Sequence, residues 1–147
     1  MNKQQIGRSG ELLVQYKLLL HGIESAPMTT DYGIDIIAYS SRTNHALTIQ
    51  VKTNEKPKKA GGKGKLALGW WLADDSPADL IAFVDLSSNS VWLFRNMEVA
   101  KYSQQHSTGK YQFYMYVDSQ VAVKHIRPVF LNQFADFMLE KRISNLF

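Results

Sequence analysis

The stretch Asp31–Lys52, DYGIDIIAYSSRTNHALTIQVK, predicts the centre of the fold. Apolar residues alternate with other residues on either side of a central polar segment, which is typical of two half-buried strands. The polar segment, SSRTNH, consists largely of turn-forming residues and favours an antiparallel hairpin. Because side chains at i and i+2 share one face of a strand, Gln50 and Lys52 should point the same way.

The register of this hairpin decides which side chains meet. A turn that is symmetric about its midpoint places position 35 opposite position 50. Asp35, Gln50 and Lys52 would then bring a carboxylate, an amide and an ammonium onto one patch of sheet. Asp35 is the only acid inside the apolar alternation, whereas Asp31 lies in a turn where aspartate commonly bonds the local backbone. We therefore predict an active site centred on Asp35.

Size and composition favour one folded domain over residues 1–147. The chain is 45% hydrophobic and 12% aromatic, which is typical of a globular core. We expect that core over about residues 1–95 and an extension with a strand and a helix over about 96–147. No apolar run is long enough for a membrane helix, and the N-terminus lacks the apolar centre of a signal peptide. With no cysteine, disulfides and thiolate metal sites are excluded, and a cytoplasmic location is expected.

The positive charge of the chain is concentrated in one segment. Residues 52–65 hold six lysines and one glutamate, a charge of +5, which leaves −1 for the rest of a chain of net charge +4. A solubilising surface loop is one interpretation. Its position after the hairpin favours a polyanion partner, and its proline and glycines predict an irregular, mobile loop. The predicted nucleic-acid contacts are Arg8, Ser9, Lys56, Lys58, Lys59, Lys63 and Lys65.

A helix is predicted over about residues 3–21, and its many leucines predict that it is largely buried. Glu11 near its start requires a cation, a hydrogen bond or a metal, unless it is simply an exposed acid that the helix dipole favours. Gly7 and Gly10 would let another backbone or a phosphate approach closely. Alternatively, the helix begins only at Ser9, acting as N-cap.

The remaining sequence predicts further strands and two more helices. Strands are predicted over residues 23–28, 78–86, 91–94 and 111–117, and a short helix over 96–105 with Asn96 as its N-cap. Residues 66–73 fit either a helix or a strand, with Trp70 and Trp71 expected in the core and at its rim. Pro128 opens a predicted last helix whose aromatic stripe would pack on the sheet or on a second copy, as in a homodimer. Four scattered histidines lack metal-ligand or triad spacing: His21, His45, His106 and His125.

Three motifs in this order resemble the PD-(D/E)xK nuclease superfamily. They are GxxGE at Gly7–Glu11, GID at Gly33–Asp35 and QVK at Gln50–Lys52. The set looks most similar to archaeal Holliday-junction resolvases and methylation-dependent restriction enzymes, and it covers about residues 1–95. The resemblance implies an α/β, restriction-endonuclease-like fold, with a mixed sheet, a leading helix, a hairpin that carries the active site, and flanking helices.

The resemblance also implies a DNA endonuclease that depends on Mg²⁺ or Mn²⁺. Asp35 would be the main metal ligand, with the Gln50 side-chain oxygen and the Val51 carbonyl beside it and Glu11 binding directly or through water. Lys52 would assist the attacking water. The superfamily usually has a carboxylate where this chain has Gln50, and a neutral amide should weaken metal affinity.

Two other functions fit the same residues. A non-catalytic DNA-binding module on this fold would keep the lysines without the metal chemistry. A protein-binding domain would use the aromatic C-terminal helix as its interface. Salt separates them, because binding that depends on phosphate weakens steeply as the salt concentration rises.

Overall fold

The computed structural model describes residues 1–120 and 127–147, so His125 lies outside the described residues. Within these ranges the elements follow in the order α1 (Lys3–Leu20), β1 (Ile23–Pro27), β2 (Ile36–Ser40), β3 (His45–Asn54), β4 (Lys58–Lys59), β5 (Leu66–Ala73), β6 (Leu80–Asp85), β7 (Ser90–Arg95), α2 (Asn96–Tyr102), β8 (Gln105–Ser107), β9 (Lys110–Tyr116) and α3 (Leu139–Leu146), with 3₁₀ turns at Ala60–Gly62 and Leu131–Phe137. No helix of the described part is long and apolar enough to cross a membrane.

The strands form two sheets. The first sheet has the order β1-β2-β3-β6-β7 and is mixed, because β3 and β6 run parallel while its other pairs are antiparallel. The second sheet has the order β4-β5-β9-β8 and is antiparallel. Helices α1 and α3 cover one face of the first sheet, and the second sheet packs on the other. Strand β6 is buried at every residue, as expected for a central strand with both faces covered.

Helix α1 begins where a capping box satisfies its first backbone groups. The Asn2 side chain accepts a hydrogen bond from the Gln5 N–H, and the Gln5 side chain accepts one from the Asn2 N–H, both at 2.9 Å. The alternative start at Ser9 is therefore wrong. The expected burial is also wrong, because only one stripe of the helix reaches the sheet. Four large apolar side chains remain exposed: Leu12, Tyr16, Leu19 and Leu20.

Gly10 brings α1 against β3. A Cβ atom at position 10 would overlap the stiff, β-branched side chain of Thr53, whereas one at Gly7 would meet nothing within 4 Å. Gly10→Ala should therefore lower the free energy of unfolding by about 1–3 kcal/mol through overpacking. Gly7→Ala is the matched control and should raise it by up to about 1 kcal/mol through helix propensity. Urea unfolding measures both, and equal stabilities for the two variants would contradict this packing.

The lysine-rich segment is partly regular rather than an irregular loop. Strand β3 continues to Asn54, and β4 pairs with the start of β5, which settles residues 66–73 as a strand. In the turn between β4 and β5, Gly61 and Gly62 have positive φ values of 62° and 78°, a region of backbone conformation that favours glycine. Pairing with a neighbouring strand thus overrides the local composition. As expected, Trp70 is buried, but Trp71 is half exposed on the other face of this sheet rather than at the rim of the core.

The C-terminal region differs from its prediction. The continuous helix expected from Pro128 is a 3₁₀ turn followed by α3, and β8 carries no clear signal in the sequence. Helix α2 has Arg95 as its N-cap, because the Asn96 side chain instead donates to the carbonyls of Ser76 and Ala78. The aromatic stripe packs on the sheet: the ring centroids of Phe94 and Phe137 are 4.5 Å apart. Of the two packings that were expected, the structure shows the one on the sheet, and Leu131, Phe137 and Met138 remain partly exposed.

Candidate active site

The predicted hairpin register is present between β2 and β3, but the paired residues of β2 begin at Ile36 and do not include Asp35. Ile36 pairs with Ile49 and Ser40 with His45, so paired positions sum to 85. The Asp35 N–H donates to the Ile49 carbonyl at 2.9 Å, one residue out of that register. Instead of pairing across from Gln50, Asp35 turns its carboxylate to the backbone, where Oδ2 accepts a hydrogen bond from the Val51 N–H at 2.7 Å.

This arrangement also orients the Val51 carbonyl. The N–H and C=O of one strand residue point to the same edge of the strand. The Val51 N–H points at Asp35, so its carbonyl faces the gap that opens where β2 leaves the sheet. Asp35 and Val51 thus present a carboxylate and a carbonyl oxygen on one side of β3.

Gln50 and Lys52 lie on the face of β3 that is turned towards the second sheet. Their register partners on β6 are Ile81 and Phe83, which belong to the core between the two sheets. Gln50 is only 9% exposed, and its Oε1 accepts a hydrogen bond from Ser76 Oγ at 2.5 Å. Sequence reasoning missed Ser76, because nothing in its local pattern links the β5–β6 connection to β3.

Three carboxylates line one small cleft of about 190 Å³: Glu11, Asp31 and Asp35. Glu11 forms an ion pair with Arg8 at 2.8 Å. Asp31 Oδ1 accepts a hydrogen bond from the Gly33 N–H at 3.1 Å, the local turn bond that was expected. Asp31 also lies beside Glu11 and Asp35 in this acidic cluster, which its position in a turn did not predict.

The electrostatic surroundings of Asp35 oppose its ionisation. Burial raises the pKa of Asp35 above its ordinary value, and the negative charges of Glu11 and Asp31 raise it further. The Val51 N–H and the Lys52 ammonium lower this pKa, but they do not cancel the increase. The ionised form of Asp35 therefore lowers the stability of the fold. Perturbed pKa values of this kind are common at functional sites.

The structure places the predicted basic residues in different surroundings. Lys52, Lys56 and Lys58 line a cleft of about 450 Å³ beside the start of α1, and Lys52 forms no ion pair within residues 1–120 and 127–147. Lys59 lines a groove on the second sheet. The other predicted contacts lie apart: Arg8 on Glu11, Ser9 with its hydroxyl towards Met1, and Lys63 and Lys65 exposed in the β4–β5 turn.

The oxygen donors at this site fit a hard divalent cation. In the described ranges, no group of three or more histidine, cysteine, aspartate or glutamate residues could hold a metal ion. The structure brings Asp35 and Val51 together, whereas Gln50 does not line the cleft that Asp35 shares with Glu11 and Asp31. An ion held by the ligands that the resemblance implies would use Asp35, the Val51 carbonyl, the Gln50 amide oxygen and water. Mg²⁺ accepts such a set, since it retains several waters and often has only one or two carboxylate ligands. A carbonyl oxygen has two lone pairs, so Gln50 Oε1 could coordinate an ion while it accepts from Ser76.

A carboxylate at position 50 should strengthen metal binding. Gln50→Glu adds a charge to the donor set while the Ser76 hydroxyl can still donate to it, so we expect about tenfold tighter Mg²⁺ binding. The rise in melting temperature with added Mg²⁺ measures this affinity without any cutting assay. Ser76→Ala is the paired variant and should weaken the same response. Identical Mg²⁺ titrations for Gln50→Glu and the parent chain would exclude position 50 as a ligand.

The comparisons with known proteins give the fold. No family model matches the chain, and no curated protein matches it. The structure of a bacterial homing endonuclease, I-Ssp6803I, is similar with a TM-score of 0.65 at 10% identity, over 97% of this chain and 91% of that one. The Holliday junction resolvase Hjc of Archaeoglobus fulgidus is similar with a TM-score of 0.49 at 15% identity, over 78% of this chain and 84% of that one.

The first of these similarities extends well beyond residues 1–95, where the sequence motifs lie. It spans nearly the whole chain, so the second sheet and the C-terminal elements are included. The mixed sheet, the leading helix and the hairpin agree with the architecture that the three motifs imply. The chain thus shares the fold of that homing endonuclease structure, a mixed α/β fold of the kind that the three motifs imply.

Proposed function

We propose that this chain is a metal-dependent endonuclease that hydrolyses phosphodiester bonds in DNA. One observation supports the proposal most directly: Asp35 is half-buried, bonded to the Val51 N–H, and surrounded by Glu11, Asp31 and Lys52. Burial and the neighbouring carboxylates oppose the ionisation of Asp35, and a bound cation would offset both effects, so the group is well suited to hold one.

Each residue has a distinct role in the proposed reaction. Asp35, fixed by the Val51 N–H, would hold the ion together with the Val51 carbonyl and Gln50 Oε1, and Glu11 would hold a water at its edge. When bound, Mg²⁺ or Mn²⁺ supplies a water of lowered pKa and neutralises charge on the phosphate. Lys52 would donate hydrogen bonds to the attacking water or to the phosphate oxygens, a role suited to a compact ammonium.

The lysine-rich segment would hold the DNA backbone beside this site. If it does, replacing Lys58, Lys59 and Lys63 by alanine should reduce the slope of log affinity against log salt by up to about 2.7, or about 0.9 for each phosphate contact. Fluorescence anisotropy of a labelled duplex over a range of salt concentrations measures this slope. A triple variant with an unchanged slope would exclude the segment as a DNA contact.

The second candidate function is a non-catalytic DNA-binding module on the same fold. Gln50 favours it, because the amide is neutral and its oxygen already accepts from Ser76. A panel of linear, nicked and four-way-junction DNA, incubated with Mg²⁺, Mn²⁺ or EDTA, separates the two functions. Cutting that requires the metal supports the nuclease. Salt-sensitive binding to the same panel without cutting supports the module.

A cytoplasmic location and a homodimer remain predictions, and sedimentation measures the second.

A further inference from the structure

The outer face of the second sheet forms a groove of about 560 Å³ that the proposed active site does not include. Alternate residues of β5 point away from the core there: Ala67, Gly69 and Trp71. Strand β9 presents Tyr116, Tyr114 and Gln112 opposite them, in that order. Gly69 leaves a hollow in the floor, because a Cβ atom there would approach only Tyr114, at 4.0 Å.

The groove combines an aromatic surface with amide groups and positive charge. Trp71 is 50% exposed, whereas Trp70 and Trp92 are 3% and 1% exposed. Register places Gln105 opposite Gln112, and Gln112 opposite Trp71, so two amides and an indole form one row across three strands.

Two lysines stand at the other end of the groove. Lys58 pairs with Ala67, and Lys59 follows it on β4. Both lie in the segment that concentrates the positive charge of the chain. An occupant therefore needs a flat apolar surface, hydrogen-bonding edges and negative charge. A nucleotide has all three.

We propose that this groove binds unpaired DNA, with a base stacked on Trp71, its edge bonded by Gln112 or Gln105, and its phosphates held by Lys58 and Lys59. Aromatic platforms beside a basic track are how proteins bind single strands without sequence preference. The volume lies within the range of small-molecule binding sites, which is ample for one base.

The groove adjoins the cleft that contains Lys52. Asn54, Lys58 and Gly69 line both. Asn54 ties β3 to β5, since its side chain exchanges two hydrogen bonds with the Gly69 backbone, at 2.8 and 3.1 Å. An unpaired strand held in the groove would thus lead towards Lys52 and Asp35. This link to cutting rests on the proposed function, whereas binding in the groove does not.

The test is the affinity for a labelled oligothymidine in EDTA, measured by fluorescence anisotropy. Trp71→Ala should weaken binding by about 5- to 150-fold, the range found for removal of one base-stacking side chain. Trp71→Phe should restore most of the affinity because a ring remains. Tyr16→Ala removes an exposed aromatic side chain on α1 and should leave binding unchanged.

A second variant reaches the groove without altering charge or aromaticity. Gly69→Val fills the floor, suits a strand and keeps the backbone bonds to Asn54. It should weaken oligothymidine binding while affinity for a blunt duplex stays the same. The proposal is overturned if Trp71→Ala and Gly69→Val both bind oligothymidine as tightly as the parent chain does. It is also overturned if the groove binds an uncharged peptide instead of oligothymidine.

Failure of this proposal is distinguishable from failure of the nuclease. Loss of oligothymidine binding in Trp71→Ala supports the groove even if the parent chain cuts no DNA. Conversely, if the chain cuts DNA with metal while its Trp71→Ala and Gly69→Val variants both bind oligothymidine normally, the result supports the nuclease and overturns the groove.

Discussion

Asp35→Asn should abolish metal-dependent cutting and, at pH 7, raise the free energy of unfolding. The substitution removes the charged metal ligand but keeps an oxygen that can accept from the Val51 N–H. It also removes a carboxylate whose pKa is raised by burial and by Glu11 and Asp31. A group with a raised native pKa destabilises the fold when ionised and ceases to do so as the pH falls below its unfolded value. The gain over the parent chain should therefore shrink in acid.

Cleavage assays and urea unfolding at several pH values measure the two effects. Asp79→Asn is the matched control, because Asp79 Oδ2 also accepts a β3 backbone N–H, from Thr48 at 2.9 Å, outside the acidic cluster. It should leave cutting intact.

Lys52→Ala should reduce cutting by about 10²- to 10³-fold, the usual loss of one preorganised donor. Normal cutting by both Asp35→Asn and Lys52→Ala would refute the proposed site.

Glu98→Gln should lower the free energy of unfolding by about 3 kcal/mol, since breaking a buried ion pair from one side leaves the other charge unpaired. Arg142 of α3 is 7% exposed and donates two hydrogen bonds to Glu98 of α2, at 2.9 and 3.2 Å. This pair joins the C-terminal helix to the rest of the fold. Asp136→Asn is the control, because its pair with Lys141 spans 3.8 Å in solvent, and its loss should cost at most about 1 kcal/mol.

The pH dependence of Glu98→Gln has a definite sign. Burial alone would raise the pKa of Glu98, but hydrogen bonds from Arg142 and from the Arg95 N–H outweigh it and lower this pKa. A lowered native pKa stabilises the fold above the unfolded value, about 4.3 for glutamate, and that contribution is lost as the pH falls through the native value. The difference between the parent chain and Glu98→Gln should thus be full at pH 7 and decline below about pH 4. A difference that is constant with pH would contradict the charge pair.

The sequence alone was sufficient for the hairpin and for its register over residues 36–40 and 45–49. Alternation of side chains in Asp31–Lys52 determines which residues share a face, and the length of the polar turn determines which positions pair. The order of GxxGE, GID and QVK implied the fold. These features are local or depend on spacing, so one chain displays them without its tertiary structure.

Only the tertiary structure decided how the site is assembled. In the tertiary structure, Asp35 lies outside the β2–β3 pairing, which starts at Ile36, and Asp31 lies beside Asp35 in one cleft. Ser76, from the β5–β6 connection, donates a hydrogen bond to Gln50. The outer stripe of α1 is exposed to solvent, and part of the lysine-rich segment forms β4 of the second sheet. Each of these depends on contacts between residues far apart in the chain, and local propensity carries no record of which distant partner will satisfy a backbone group or cover an apolar face.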